Sequence, residues 1–157
     1  MTIRLLTVVI LAFVLTSSNA QQPVHWTYKV EKKGPGLFLV SLNALVDNGW
    51  HIYAMAQPKE AVARPTRFDF RVSPLLSLQG NTTEKGSLFH YRNEAAGIAQ
   101  DQYSGQVSFS QLVEVKAQVD TQLSIAIYYQ ACTDEECLPP EEYSLSVPLH
   151  NSKFSPN

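Results

Sequence analysis

The amino-acid sequence predicts an all-β fold in which two antiparallel sheets pack face to face. Three observations carry this expectation: apolar residues recur at every second position in several short segments, turn-forming residues fall between those segments, and no stretch keeps a helical period. Strict alternation turns one side of a strand toward a core and the other toward water, as antiparallel sheets do.

In chain order, residues 24–30 read Val-His-Trp-Thr-Tyr-Lys-Val and lead to the turn residues Gly34-Pro35-Gly36. Residues 38–46 alternate in part and end at Asp47-Asn48-Gly49, after which residues 50–53 form a short apolar strand. Residues 67–72 alternate again. Gly80-Asn81 and Ser104-Gly105 read as further turns, and residues 93–101 have the composition of a single turn of helix. Residues 106–112, 123–129 and 143–147 complete the strands. Seven or more short strands, without an internal repeat or linker, predict one antiparallel β-sandwich of immunoglobulin-like architecture.

The N-terminus has a different pattern. Arg4 precedes an apolar run over residues 5–15 broken only by Thr7, and Thr16-Ser17-Ser18-Asn19-Ala20 is small and polar. This is the layout of a secretory signal peptide, with cleavage expected after Ala20. The run is shorter than the roughly 20 apolar residues that span a bilayer, so the mature protein, residues 21–157, is expected not to be membrane-embedded. The precursor of 157 residues carries a net charge of −2, without the basic excess of a nucleic-acid-binding protein. An exported chain meets an oxidising compartment, the periplasm, where cysteines can pair.

Two cysteines are present, Cys132 and Cys137, within Tyr-Tyr-Gln-Ala-Cys-Thr-Asp-Glu-Glu-Cys-Leu-Pro-Pro-Glu. They admit two readings. As a staple, a bridge closing about six residues contributes about 2 kcal/mol in the chain-entropy model, against about 4.7 for a hundred-residue loop. As a switch, the pair supplies one sulfur for a visiting thiolate and a second thiol to complete the exchange. Between Ala117 and Ser152 there are six acids and no Lys or Arg. Negative neighbours disfavour thiolate, so thiol pKa values at or above about 8.5 are expected. Pro139-Pro140 stiffens the exit from the loop and places it at a rim. Tyr128 and Tyr129 point in opposite directions, one into the core and the other available to line the pair.

At these residues the sequence resembles the periplasmic N-terminal domain of the thiol:disulfide interchange reductase DsbD. The resemblance lies in Tyr129-Gln-Ala-Cys132 and Cys137-Leu-Pro-Pro-Glu141, supported upstream by Gly49-Trp-His-Ile-Tyr53 and Pro65-Thr66, and spans residues 24–149. It implies an immunoglobulin-like sandwich whose cysteines carry electrons without a cofactor. Donors and acceptors would be thioredoxin-like domains and a membrane thiol reductase acting in trans. It also implies that Cys137 is the sulfur attacked and Cys132 the resolving partner, with Tyr53 as a shield. A cap over residues 89–103 would cover the pair, with Phe89, His90 or Tyr91 supplying its aromatic. The loop between the cysteines holds four residues where the familiar pattern has five. The competing reading is a secreted immunoglobulin-like binding module with a purely structural local disulfide.

The remaining candidates read as structural. His25, His51, His90 and His150 lack metal-site spacing, and Trp26 and Trp50 read as core aromatics. The acids around the cysteines lack the Asp/Asn-Gly spacing of a calcium loop and form a solvated rim, so no metal site is expected.

Overall fold

A computed structural model describes residues 22–152 and contains nine strands. They are β1 (Val24–Gly34), β2 (Leu37–Val46), β3 (His51–Tyr53), β4 (Arg67–Arg71), β5 (Leu76–Asn93), β6 (Ile98–Val115), β7 (Thr121–Tyr129), β8 (Ala131–Cys132) and β9 (Glu141–Leu149). All pairings are antiparallel, and the described residues contain no helix. The expected signal peptide lies outside them. Among them, no helix is long and apolar enough to cross a membrane.

The larger sheet is organised by β6. One edge of β6 pairs with β2 along residues 106–114 and with β3 at residues 102–103, while β5 follows its other edge. β1 continues the sheet beyond β2, and β8 continues it beyond β3. The smaller sheet runs β4-β7-β9. Alternation accounts for the layer between them. Val40, Leu42 and Ala44 of β2, Val107, Phe109 and Val113 of β6, and Leu123, Ile125 and Ile127 of β7 all belong to one buried cluster. Trp26 sits at its aromatic centre, with ring centroids 5.6 Å from Tyr129, 5.9 Å from Phe109 and 6.2 Å from Phe68.

The seven expected strands are present, but three local expectations are corrected. Residues 93–101 contain no helical turn. They run through the tip of the β5–β6 hairpin into β6; at the tip the Asn93 side chain accepts a hydrogen bond from Ala96 N (3.0 Å) and Gly97 closes the turn at φ 66°. Gly80 and Ser104-Gly105 do not end strands. Gly80 (φ 68°) lies inside β5 between Gln79 and Thr83, where the register with β6 shifts. Gly105 (φ 70°) lies inside β6, opposite a second shift between Gly86 and Leu88. A left-handed glycine within a ladder accommodates a bulge and bends the strand, so the same residue types that make turns here let β6 change neighbour from β2 to β3.

Candidate functional site

The cysteine loop leaves the smaller sheet and joins the larger one. β7 ends at Tyr129, Gln130 crosses between the sheets, and Ala131-Cys132 pairs with His51-Ile52 of β3. The crossing is held by Gln130 Nε2, which donates to the Leu138 carbonyl (3.1 Å), and by Leu138 N, which donates to the Ala131 carbonyl (2.9 Å). Thr133 closes the loop: its N–H donates to the Glu136 carbonyl (2.7 Å), and its hydroxyl accepts from Glu135 N (3.2 Å) and Glu136 N (3.1 Å). A short side-chain hydroxyl substituting for backbone partners is what allows so tight a turn among acidic residues.

Cys132 and Cys137 form a disulfide with Cα atoms 4.0 Å apart. The two residues differ in access. Cys132 is 1% exposed, whereas Cys137 is exposed. The pair faces away from the sandwich interior: Ile52 and Ala131 belong to the core cluster, so their neighbours His51, Tyr53 and Cys132 point to the outer face of the larger sheet.

On that face a groove of about 620 Å³ opens over Cys137. β3 contributes His51 and Tyr53, and the cysteine loop contributes Asp134, Glu135 and Glu136. The β5–β6 hairpin contributes Phe89, Tyr91, Gln100 and Gln102. Register explains the last set: Gln102 of β6 is opposite Tyr53 on one side and Phe89 on the other, and Gln100 is opposite Tyr91. Side chains at directly opposed positions share a face. The intervening His90 takes the other face and pairs with Asp101 (Nδ1–Oδ1 2.8 Å), beside Arg92. The hairpin is anchored at its base by Gln57, which donates to the Asp101 carbonyl and accepts from Asp101 N (3.1 Å).

The electrostatics are one-sided. Three carboxylates line the groove and no Lys or Arg does. Burial lowers the pKa of His51 below its ordinary value, opposed by the charge of Asp134. Burial raises that of Tyr53. His51 Nε2 and Tyr53 Oη are 3.2 Å apart, and the two rings meet edge to face at 5.4 Å.

Of the residues singled out in the sequence, Cys137, Tyr53, Phe89 and Tyr91 come together at this groove, with Cys132 beneath. Tyr129 and Glu141 lie elsewhere. Tyr129 turns into the core, and its hydroxyl donates to Glu141 (2.7 Å). Both line a second groove of about 400 Å³ with Arg64 and Arg67, where the Arg67 guanidinium stacks over Tyr128 at 4.1 Å. The alternation of Tyr128 and Tyr129 belongs to the smaller sheet and does not continue past Gln130, so neither tyrosine lines the cysteine groove. His51 was read as structural for want of metal-site spacing, and Gln100 and Gln102 were not singled out; all three line the groove. His51 was legible by period two from Tyr53; the glutamines required the β5–β6 pairing. Among the described residues, no three His, Cys, Asp or Glu side chains are grouped to hold a metal ion.

No protein-family model matches the chain, and no curated protein matches it in sequence. Solved structures do match. The N-terminal periplasmic domain of ScsB from Proteus mirabilis is similar at a TM-score of 0.58 and 17% identity, over 81% of this chain and 47% of that one. This chain thus spans about half of that structure. The N-terminal domain of DsbD from Neisseria meningitidis, in its reduced form, is similar at a TM-score of 0.52 and 14% identity, over 80% of this chain and 86% of that one. At these identities the likeness establishes the fold: the chain is an immunoglobulin-like β-sandwich of the kind found in the DsbD N-terminal domain.

Proposed function

We propose that the chain is a periplasmic thiol–disulfide exchange module whose Cys132–Cys137 pair cycles between disulfide and dithiol. The observation that carries this reading is the unequal access of the two cysteines on one short loop, Cys137 open in a groove and Cys132 buried behind it. A bridge built only to staple strands has no need of that asymmetry, whereas exchange chemistry needs one reachable sulfur and one held in reserve.

In the reducing half-cycle a thiolate of the donor attacks Cys137 Sγ. The Cys132–Cys137 bond breaks, and its electron pair goes to Cys132 Sγ, which takes up a proton. The donor's second thiol then attacks the mixed disulfide and releases Cys137 as a thiol, leaving the donor oxidised. Delivery to an acceptor disulfide runs the same steps in reverse. Donor and acceptor are thioredoxin-like domains, the donor belonging to a membrane thiol reductase that acts in trans. The acidic loop, with Phe89 and Tyr91 beside it, suits a partner face that is apolar around its cysteine and basic at its rim.

The reduction potential tests the proposal. A working pair equilibrates with glutathione or thioredoxin buffers at roughly −200 to −270 mV. A structural bridge in a secreted binding module stays oxidised there and yields only below about −300 mV, an outcome that would end the shuttle reading. Roles are assigned by trapping: Cys132→Ser accumulates a mixed disulfide through Cys137, and accumulation through Cys132 in Cys137→Ser instead reverses the assignment.

A further inference from the structure

His51 stands directly opposite Cys132 in the β3–β8 pairing. Opposed residues of an antiparallel pair present side chains on one face with Cβ atoms about 4.5–5.5 Å apart. Both residues are buried, His51 at 7% exposure and Cys132 at 1%. The imidazole also lines the groove that holds Cys137, so it sits beside both ends of the disulfide. Its companions are Tyr53 from its own strand, Tyr91 from β5 and Asp134, Glu135 and Glu136 from the cysteine loop. The facing β6 residues, Gln100 and Gln102, do not titrate, and no Lys or Arg lines the groove.

These surroundings set a chemical problem for Cys132. To resolve a mixed disulfide on Cys137, its thiol must lose a proton in a place shut off from water and next to a loop of three carboxylates. Both conditions disfavour a free thiolate. A neighbouring group that is neutral, basic and within the same buried space removes the difficulty. Among the groove-lining residues, His51 alone has that chemistry. Burial keeps it uncharged at neutral pH, while Asp134 is placed to stabilise the imidazolium once it forms.

We propose that His51 is the proton acceptor for the Cys132 thiol in the resolving step, a reading that rests on the exchange function argued above. In the tautomer whose Nε2–H donates to Tyr53 Oη, 3.2 Å away, the Nδ1 lone pair is free to receive the proton. As Cys132 Sγ attacks Cys137 Sγ, the S–H proton passes to His51 and the new bond closes the intramolecular disulfide. The partner's sulfur leaves with the electron pair of the broken bond. In the opposite direction, the His51 imidazolium returns the proton to Cys132 Sγ as the disulfide opens. General-base assistance of this kind contributes about 10²–10⁴ in rate.

The aromatic disulfide dithiobis(nitrobenzoate) separates the two steps in the fully reduced protein. Attack by Cys137 releases one thionitrobenzoate, and resolution by Cys132 releases the second. In the wild type, the second phase stays nearly level between about pH 7 and pH 8, because the base is already neutral there. In His51→Gln the first phase persists. The second slows at least about tenfold at pH 7 and climbs about tenfold per pH unit toward the thiol range near 8.5. Added imidazole restores the second phase in His51→Ala. A His51→Gln protein whose second phase keeps the wild-type rate and profile overturns the proposal. So does a wild-type second phase that itself climbs tenfold per unit, a result that needs no variant to fold. Absence of the first phase in Cys132→Ser is a different failure: it removes Cys137 as the open sulfur, and the shuttle reading with it.

Discussion

The Tyr129 hydroxyl donates a 2.7 Å hydrogen bond to the Glu141 carboxylate, joining the last residue of β7 to the first residue of β9. The two are also register partners, so they close the neck from which the cysteine loop departs. Burial and the adjacent carboxylate push the Tyr129 phenol far above its ordinary range, which keeps it protonated and donating. Tyr129→Phe keeps the ring against Trp26 and removes only the clasp. Its expected cost is about 1 kcal/mol, and Glu141→Gln, which retains an acceptor oxygen, costs less. Urea unfolding of the oxidised protein measures both, and a loss equal to or larger in Glu141→Gln contradicts the clasp.

The sandwich was legible because its core strands largely obey period two, Ala126 of β7 being a buried exception. Phe38, Val40, Leu42, Ala44 and Val46 are all buried, and Leu123, Ile125 and Ile127 face them from the other sheet. The motif around the cysteines was legible because the reacting residues are close in sequence. β5 was not, because its burial pattern is mostly exposed: Leu88 and Phe89 are both exposed, and Phe89 lies over a groove rather than in a core. Gly80 and Gly105 misled for a related reason: a bulge and a turn use the same backbone conformation, and only pairing distinguishes them. The outer-face position of His51 followed from its alternation with Tyr53, but its value depended on β8, a two-residue strand below the length that pattern reading detects.

Phe89 is 58% exposed and lines the groove over Cys137 without belonging to the core. Its removal therefore opens the sulfur with little effect on folding, within about 0.5 kcal/mol. Phe89→Ala is expected to speed reduction of the disulfide by dithiothreitol several-fold while leaving the midpoint of urea unfolding in place. Leu88→Ala, one position along and paired to Tyr103 rather than Gln102, is the matched control and leaves the reduction rate unaltered. Equal acceleration in both variants contradicts a shielding role specific to Phe89.

Gly86 marks the bend where β5 loses and regains register with β6. A Cβ there would lie 3.1 Å from Tyr103 Cδ1, 3.1 Å from Val107 Cβ and 3.2 Å from the Gln106 carbonyl oxygen. Three neighbours, one of them backbone, cannot all withdraw. Gly86→Val is expected to destabilise by about 1–3 kcal/mol, the range for forced overpacking. Gly86→Ala falls lower in that range, and urea unfolding again provides the measurement. A neutral Gly86→Val would place the strand crossing farther from Tyr103 than described.

His51 also gives the folded state a pH signature that is separable from its proposed chemistry. Burial lowers its pKa in the fold, so between that value and the ordinary 6.5 the unfolded chain holds a proton that the native protein does not. Stability then rises with pH across this window. The contribution is fully present above pH 6.5 and is lost as pH falls toward the folded value, the Asp134 charge narrowing the window by pulling that value back up. The depressed carboxylates act elsewhere. Glu31, held at about 2 by Lys33 and Lys29, and Asp120, held at about 2 by Ser152 and His150, contribute above the ordinary carboxylate range. Their contribution disappears only as pH falls from about 4 to about 2. Urea midpoints of the oxidised protein are therefore expected to decline just below pH 6.5 in the wild type and to stay level there in His51→Gln, both chains falling together below pH 4. A wild-type midpoint that is flat or rising as pH drops through 6 would mean that the imidazole is charged within the fold, and would remove the neutral base from the cysteine groove.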